Sequence, residues 1–202
     1  MRFLLGVDEA GRGPLAGPVA VGVVMMPEGF DVAREFPGVN DSKKLSEKKR
    51  EEIFEMLTAR VARGDARFAV EFSDAVLIDE KGISAAVSDA LARGVRNLVG
   101  FTKPHMKDEV HILLDGALRA PPEFSQETII HGDALVPIIS LASIAAKVSR
   151  DHLMVALAAE YPAYGFEIHK GYGTKRHYEM LREHGLSAIH RRTFVHLDGR
   201  LK

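Results

Sequence analysis

Four acidic residues, Asp8, Glu9, Asp115 and Asp133, each close an apolar or glycine-flanked stretch where an ordinary core would place no charge. Carboxylate oxygens are hard ligands that suit Mg²⁺, whereas zinc prefers sulfur and nitrogen. Two such ions roughly 4 Å apart can activate water and stabilise the leaving oxygen of an in-line phosphoryl displacement. No serine or cysteine nucleophile with an activating base is apparent in the sequence. The four acids therefore predict metal-dependent phosphodiester hydrolysis, provided that the fold brings them together.

The acids follow predicted strands from separate parts of the chain. An apolar strand, FLLGV, ends at Asp8 and Glu9, a second, VHILL, ends at Asp115, and a short apolar stretch, TIIHGD, ends in Asp133. An aspartate after a strand is more often a turn former or helix cap than a metal ligand. The metal prediction depends on the pattern occurring at three strand endings, which would converge at one edge of a sheet.

A glycine-rich segment follows the first acidic pair. Strand side chains alternate between faces, so adjacent acids can face one site only if the backbone turns between them, and Gly11 and Gly13 make such a turn easy. The spacing Gly11-x-Gly13-x-x-Ala16 also fits a loose dinucleotide-binding pattern. That pattern needs a helix next, whereas this segment leads into a predicted strand, Val19–Met26. A tight turn is the interpretation that remains.

Hydrophobic periodicity predicts the other elements, and their order indicates an α/β fold, a sheet flanked by helices with the acids at one end. We expect a single domain, because 202 residues with 46% hydrophobic content can build one sizeable core. The predicted elements are a helix at Ser46–Ala62, a strand at Ala66–Phe72, a helical region at Asp74–Val99 broken near Gly82, a helix at Pro137–Glu160, and a helix capped by Thr174 that stops near Gly185.

Basic residues near the acids are candidate phosphate contacts. Ser143, Lys147 and Arg150 share a polar stripe of the long helix, which begins just after the third acidic position and should lie close to the site. Lys43 and Lys44, in the motif DSKKL, are further candidates. For all of the basic residues the alternative is ordinary solvated surface charge.

Charge is balanced over the whole chain but uneven along it. The chain has 27 Lys plus Arg and 28 Asp plus Glu, so it carries no overall basic field. From residue 165 to 202, however, there are eight Lys or Arg and four Asp or Glu, which suits either an extension that binds phosphate or a solvated helical face.

No cysteine, signal peptide or bilayer-length apolar run occurs, so we expect a cytoplasmic protein. His190, beside two arginines, suggests phosphate or structural chemistry rather than zinc binding.

Six motifs, GVDEAGRGPLAGP, DSKKL, ILLDG, HGD, ASIAAKVSRD and HKGYGT, occur in this order and together resemble bacterial type 2 ribonuclease H, ribonuclease HII. The resemblance covers nearly the whole chain. It implies a ribonuclease H-like α/β catalytic core with a mixed central sheet at residues 1–165 and a basic, mainly helical C-terminal extension at 166–202. It also implies cleavage of RNA paired with DNA, with two Mn²⁺ or Mg²⁺ ions during catalysis.

The resemblance assigns roles to the acids. It implies that Asp8, Glu9, Asp115 and Asp133 are the catalytic, metal-binding set, with Asp8 placed to touch both ions. Two departures from the family pattern stand nearby, since members commonly carry lysine at the position of His131 and a small residue at that of Leu141. Those departures concern local packing and phosphate contact rather than the type of reaction.

The same resemblance implies how substrate is read. The turn formed by Gly11, Arg12 and Gly13 would approach the substrate closely and help to sense the ribose 2′-hydroxyl, which distinguishes RNA from DNA. Tyr172, in HKGYGT, would hydrogen-bond that hydroxyl and pack on the adjacent deoxyribose. We therefore expect nicking of duplex DNA 5′ of embedded ribonucleotides, with 5′-phosphate and 3′-hydroxyl products and a role in ribonucleotide removal during replication and repair.

Two alternatives remain open. Type 3 ribonuclease H shares the acids but carries an extra N-terminal substrate-binding domain, for which a catalytic strand beginning at Phe3 leaves no room. A non-catalytic nucleic-acid or nucleotide binding module with the same fold is the other. We expect a monomer that binds RNA–DNA hybrid and ribonucleotide-containing duplex and no membrane; the terminal LDGRLK offers no persuasive sliding-clamp peptide.

Overall fold

A mixed five-stranded sheet forms the centre of the computed structural model, which describes residues 2–40, 42, 44–100 and 109–196. The strands are β1 (Phe3–Ala10), β2 (Val19–Pro27), β3 (Arg67–Ser73), β4 (Val110–Asp115) and β5 (Ser125–Ile129). Their order is β3-β2-β1-β4-β5. The pairs β1–β2 and β2–β3 are antiparallel, whereas β1–β4 and β4–β5 are parallel. The predicted α/β class with a mixed sheet is confirmed.

Helices cover both faces of the sheet. They are α1 (Val32–Glu35), α2 (Glu47–Arg63), α3 (Ala75–Lys81), α4 (Ile83–Gly100), α5 (Gly132–Leu135), α6 (Pro137–Glu160), α7 (Phe166–His169) and α8 (Lys175–His184). Their ends follow local chemistry: the hydroxyls of Ser46 and Thr174 accept from backbone N–H groups in the first turns of α2 and α8. Gly82 separates α3 from α4, as predicted.

Alternation along the strands builds two separate cores. Val21 and Val23 of β2 face a core shared with α4, whereas Val24 and Met26 face a core shared with α2 and α6. The α6 backbone lies directly against the sheet at Gly6, where any side chain would overlap the carbonyl of Ile138. The longest helix is therefore fixed at close range behind the two central strands.

The strand register carries two acids to one face. Parallel pairing between β1 and β4 ends at Val7 and Leu114, and Asp8 and Asp115 come next on the two strands. Because Leu5, Val7, Ile112 and Leu114 belong to the α4 core, alternation directs Asp8 and Asp115 to the opposite face, which α6 covers.

Two predictions about strand ends were wrong. The first strand does not end before its acids, since β1 continues to Ala10 and pairs with β2 through Asp8 and Glu9. No turn therefore separates that acidic pair. The strand before the third acid ends at Ile129, and Asp133 lies in α5, a single helical turn that a lone strand ending does not reveal.

The C-terminal extension packs on a third cluster of apolar side chains, which joins Leu15 and Ala16 to Met154 and Phe166. It contains α7, α8 and a 3₁₀ turn at Arg192–Phe194. An isolated antiparallel bridge pairs Ala16 with His190. Among the described residues, no helix has the length and apolar character needed to cross a bilayer.

Candidate active site

Three carboxylates meet at the edge of the sheet. Asp8 from β1, Asp115 from β4 and Asp133 from α5 each offer an oxygen, and these oxygens lie within 4.8 Å of one another. The Asp133 backbone N–H donates to Asp115 Oδ1 at 3.2 Å, which ties α5 to the end of β4. Asp8 and Asp133 are buried and Asp115 is half-buried. An all-oxygen group of this kind fits Mg²⁺ or Mn²⁺.

Ionisation of Asp8 is unfavourable in its surroundings. Burial raises the pKa of Asp8 well above its usual value, and the neighbouring Glu9 and Asp115 carboxylates raise that pKa further, whereas a hydrogen bond from Ser143 lowers it. Like charges in a desolvated place favour the protonated acid until a cation compensates them. The acid cluster therefore has the electrostatics of a cation site.

Glu9 stands outside the group of three. Since β1 does not turn after Asp8, alternation assigns Glu9 to the other face of the strand, at the same sheet edge. Its Oε1 accepts from Arg12 Nη1 at 3.2 Å, and Arg12 is exposed. Glu9 nevertheless lines the same cavity as Asp8 and Asp115, so it is near the group without joining it.

A cavity of about 430 Å³ opens beside the acids. It brings together nine of the residues that the sequence marked as candidates, and it adds three others. The candidates are Asp8, Glu9, Gly11, Arg12, Gly13, Asp115, Ser143, Lys147 and Tyr172, and the additions are Ala10, Ser42 and Arg50. The glycine turn and the tyrosine loop, which are far apart in sequence, thus face one space.

Lys147 and Tyr172 lie side by side in the cavity lining. Lys147 Nζ lies 5.8 Å from the centroid of the Tyr172 ring and donates to Asp151 Oδ1 at 2.7 Å. Tyr172 remains 42% exposed, which leaves it accessible to a ligand in the cavity. The hydrogen bond to Asp151 holds the Lys147 ammonium in place at the cavity wall.

Arg150 does not occupy the position that a phosphate contact requires. Its side chain is fully buried, and its guanidinium donates to the carbonyls of Ala16, Pro18 and Lys170 at 2.8 to 3.2 Å. The predicted direct substrate contact conflicts with this burial, because every donor nitrogen already serves the protein. Helical periodicity placed Arg150 beside Lys147, but it could not show that the loop after β1 covers it.

Arg191 has a similar role that sequence reasoning missed. It is fully buried, and its guanidinium donates to the carbonyls of Gly11, Arg12 and Gly17 at 2.7 to 2.9 Å. Burial and the nearby Arg150 lower the pKa of Arg191 to about 9. The only available signal was the run of His190 and two arginines, which suggested structural or phosphate chemistry without naming a partner.

A second missed residue, Arg50, supports the DSKKL motif. Its Nη1 donates to the carbonyls of Ser42 and Leu45 at 3.0 and 2.6 Å. The Ser42 hydroxyl lies 2.7 Å from that of Ser143, which in turn hydrogen-bonds Asp8. In sequence Arg50 is one cation in a highly charged helix start, so periodicity gave no reason to single it out.

The remaining described residues that the sequence singled out do not line the cavity. Lys44 is exposed in the segment before α2 and does not line the cavity, whereas Lys43 lies outside the described residues, as does the terminal LDGRLK. His131 is exposed and adopts a left-handed conformation, with φ 58°, before α5. Leu141 is fully buried in the core between α6 and the sheet.

Solved structures with the same fold include ribonucleases H of types 2 and 3. The crystal structure of ribonuclease H2 from Pyrococcus horikoshii gives a TM-score of 0.72 at 28% identity, covering 95% of this chain and 93% of that one. Ribonuclease HII of Archaeoglobus fulgidus, solved in a complex with PCNA, gives 0.70 at 24% identity, with 98% of each chain covered. Bst ribonuclease HIII in complex with Mn²⁺ gives 0.65 at 19% identity, covering 91% of this chain and 63% of that one.

Sequence comparison identifies the family. The ribonuclease HII of Endomicrobium trichonymphae is 47% identical over 190 residues, which cover 94% of this chain and 83% of that protein. That of Desulfitobacterium hafniense is 44% identical over 199 residues, covering 98% of this chain and 70% of that protein. A family model described as ribonuclease HII matches residues 5–197. The chain therefore belongs to the ribonuclease HII family, hydrolases of the ribonuclease H type that cut RNA in RNA–DNA hybrids.

Proposed function

We propose that this chain is a metal-dependent endoribonuclease that also nicks duplex DNA on the 5′ side of embedded ribonucleotides. One observation carries the proposal: Asp8, Asp115 and Asp133 meet within 4.8 Å of one another beside the cavity that holds the glycine turn and Tyr172. A group that can hold divalent cations and two elements suited to a ribose thus share one space.

The acids define where the ions would bind. Asp8, Asp115 and Asp133 would hold one ion, with Mn²⁺ or Mg²⁺ as the candidates, and Glu9, which lines the same cavity, is the candidate to help hold a second. When bound, the two ions supply an activated water and positive charge at the leaving oxygen. Ser143 holds Asp8 in place through its hydrogen bond and favours the ionised carboxylate. The products would carry 5′-phosphate and 3′-hydroxyl ends.

Recognition would come from other residues that line the same cavity. The Gly11–Gly13 turn presents backbone without side chains at its two glycines, which permits close approach to a sugar. The Tyr172 hydroxyl can donate to or accept from a 2′-hydroxyl, and its ring can pack on the next deoxyribose. Lys147, 25% exposed at the cavity wall, adds a positive charge for the phosphate.

The cellular role follows from such a substrate. An enzyme that cuts beside single ribonucleotides in duplex DNA would begin their removal after replication, and we place it in the cytoplasm as a monomer. Its ligands would be RNA–DNA hybrid and ribonucleotide-containing duplex.

Cleavage mapping at nucleotide resolution tests the proposal. The substrate is a DNA duplex with one ribonucleotide, incubated with Mn²⁺, with Mg²⁺ or with chelator. We expect a cut 5′ of the ribonucleotide only when a divalent ion is present, and none with Asp8→Asn. Cutting in chelator, or full activity of Asp8→Asn, would refute the mechanism. Hybrid binding without turnover in Mn²⁺ would favour a non-catalytic module instead.

A further inference from the structure

Three buried histidines of the C-terminal extension lie behind the tyrosine loop. His169 and His177 stack with ring centroids 4.4 Å apart, and His177 Nε2 lies 3.0 Å from His190 Nε2. The other nitrogen of His177, Nδ1, lies 2.9 Å from the carbonyl oxygen of Tyr172. None of these rings lines the cavity beside the acids, so the proposed reaction does not use them directly.

The donors around these rings fix their tautomers. The Ser187 backbone N–H donates to His190 Nδ1 at 2.9 Å, so in the neutral ring the proton of His190 is on Nε2. That N–H donates to His177 Nε2, which leaves the His177 proton on Nδ1, where it donates to the Tyr172 carbonyl. Protonation of His177 would place two donors face to face between His177 and His190, and protonation of His190 would place a second donor against the Ser187 N–H.

Burial keeps this arrangement neutral. Desolvation lowers the pKa of His177 and that of His190 to about 4 each, although the hydrogen bond to the Tyr172 carbonyl opposes the shift for His177. Both rings are therefore uncharged near neutral pH. The chain of hydrogen bonds from Ser187 to Tyr172, hereafter the histidine relay, has one consistent direction.

The same short segment also holds the glycine turn. Arg191, which follows His190, donates to the carbonyls of Gly11 and Arg12, and its backbone N–H donates to the Leu15 carbonyl at 2.8 Å. The Leu15 N–H in turn donates to the Gly171 carbonyl at 2.8 Å. Neighbouring residues of the extension thus fix both elements that face the ribose in the proposed complex.

We propose that His177 and His190 are positioning residues, which set the place of Tyr172 relative to the Gly11–Gly13 turn and thereby the preference for a ribonucleotide next to DNA. The inference rests on the proposed function, because it assumes that Tyr172 reads the substrate. The relay touches only the Tyr172 backbone, so its loss would displace the ring without changing the acids.

Two isosteric substitutions separate the halves of the relay. In His177→Asn the side-chain amide can take the place of Nδ1 and still donate to the Tyr172 carbonyl. In His177→Gln the amide takes the place of Nε2 and keeps the contact with His190, but it loses the donor to Tyr172. The measurement is kcat/KM on a duplex with one ribonucleotide, divided by kcat/KM on an all-RNA hybrid, together with Tm.

We expect His177→Gln to lower this ratio by roughly threefold to tenfold, as for one hydrogen bond, while His177→Asn retains it. A ratio unchanged in both variants, or lowered equally in both, overturns the inference. If His177→Gln does not fold, His190→Asn removes the donor that keeps the His177 proton on Nδ1, so the His177 ring can lose its donor to the Tyr172 carbonyl. A ratio below that of wild type then supports the inference, and an unchanged ratio overturns it.

The variant Tyr172→Ala distinguishes a failure of the histidine relay from a failure of the proposed role of Tyr172 in substrate recognition. A lower ratio in Tyr172→Ala with an unchanged ratio in His177→Gln overturns the relay alone. An unchanged ratio in Tyr172→Ala removes the reading role of the tyrosine, and with it both the recognition part of the proposed function and the positioning role of the histidines. A fall in Tm without a change in ratio assigns the relay to stability only.

Discussion

The acid cluster and the recognition region, which joins the loop after β1 to Arg150 of α6 and Arg191 of the extension, both bury charge, but they balance it differently. Asp8 lies among like charges, and its raised pKa records the cost of ionising it there. Arg150 and Arg191 each donate to three backbone carbonyls, so the protein itself solvates them. A site of gathered like charges needs an external cation, whereas an internally solvated cation fixes a loop. The first region suits chemistry and the second suits recognition.

Asp115→Asn should have the largest effect, because Asp115 belongs both to the acid group and to the cavity lining. Losing one charged ligand should lower the rate at least about a thousandfold on every substrate, equivalent to ~4 kcal/mol of transition-state stabilisation. The asparagine oxygen can still accept from the Asp133 N–H, so Tm should change little. Single-turnover rates in Mn²⁺ measure the effect.

The control for that variant is Asp89→Asn, which neutralises an exposed carboxylate paired with Arg93 on α4. It should leave the rate within about twofold of wild type, as expected for a surface ion pair. Equal rates for Asp115→Asn and Asp89→Asn would remove Asp115 from the chemistry.

Arg191→Ala tests whether the recognition region depends on internal solvation. The substitution leaves three carbonyls of the Gly11–Gly17 loop without their donor, two of them in buried hydrogen bonds, so the free energy of unfolding should fall by about 3 kcal/mol. Urea unfolding measures the loss. The adjacent Arg192 is exposed, and Arg192→Ala should cost less than about 0.5 kcal/mol. Similar losses in both variants would contradict the structural role.

The two glycines of the turn should separate packing from substrate contact. Gly11 has φ 87°, and a Cβ there would overlap the Arg150 guanidinium, so Gly11→Ala should destabilise the fold by about 2 kcal/mol. At Gly13 a Cβ meets no atom within 4 Å. Gly13→Ala should therefore preserve Tm, while its added methyl group slows cleavage if the backbone approaches the sugar. Unchanged kinetics in Gly13→Ala would exclude close approach there.

The smallest expected effect is on the pH dependence of the free energy of unfolding. Because the folded-state pKa values of His177 and His190 are about 4, the unfolded chain binds more protons than the folded protein between about pH 6.5 and pH 4. Their contribution to stability is present above this window and is lost as the pH falls through it. Urea titrations should show a smaller decline for His177→Asn than for wild type. Asp8 is present in both proteins and cancels; equal slopes would contradict the neutral relay.

Local signals predicted the helices well. The long helix was expected at Pro137–Glu160 and has those bounds as α6, because a proline opens it and another proline shortly after its end closes it. The helix expected at Ser46–Ala62 is α2, Glu47–Arg63, between a serine cap and a left-handed glycine. Residues next to a helix end determine where the helix begins or stops, so these boundaries can be predicted from the local sequence.

The site was predictable in composition but not in geometry. Acids at strand ends were visible, yet nothing local shows that β1 runs on to Ala10 and thereby assigns Glu9 to the other face. The burial of Arg150 depends on carbonyls more than 130 residues earlier, and that of Arg191 on carbonyls 174 to 180 residues earlier. Periodicity reports which residues share a face, whereas these contacts depend on which loop later covers that face.

The most direct test compares the two regions in one experiment, with kcat/KM measured for Asp8→Asn and Tyr172→Ala on a single-ribonucleotide duplex and on an all-RNA hybrid. We expect Asp8→Asn to lower both values by the same large factor. Tyr172→Ala should lower the value for the single-ribonucleotide duplex more than that for the hybrid. A selective effect of Asp8→Asn, or an equal effect of Tyr172→Ala on both substrates, would contradict the division between a chemical region and a recognition region.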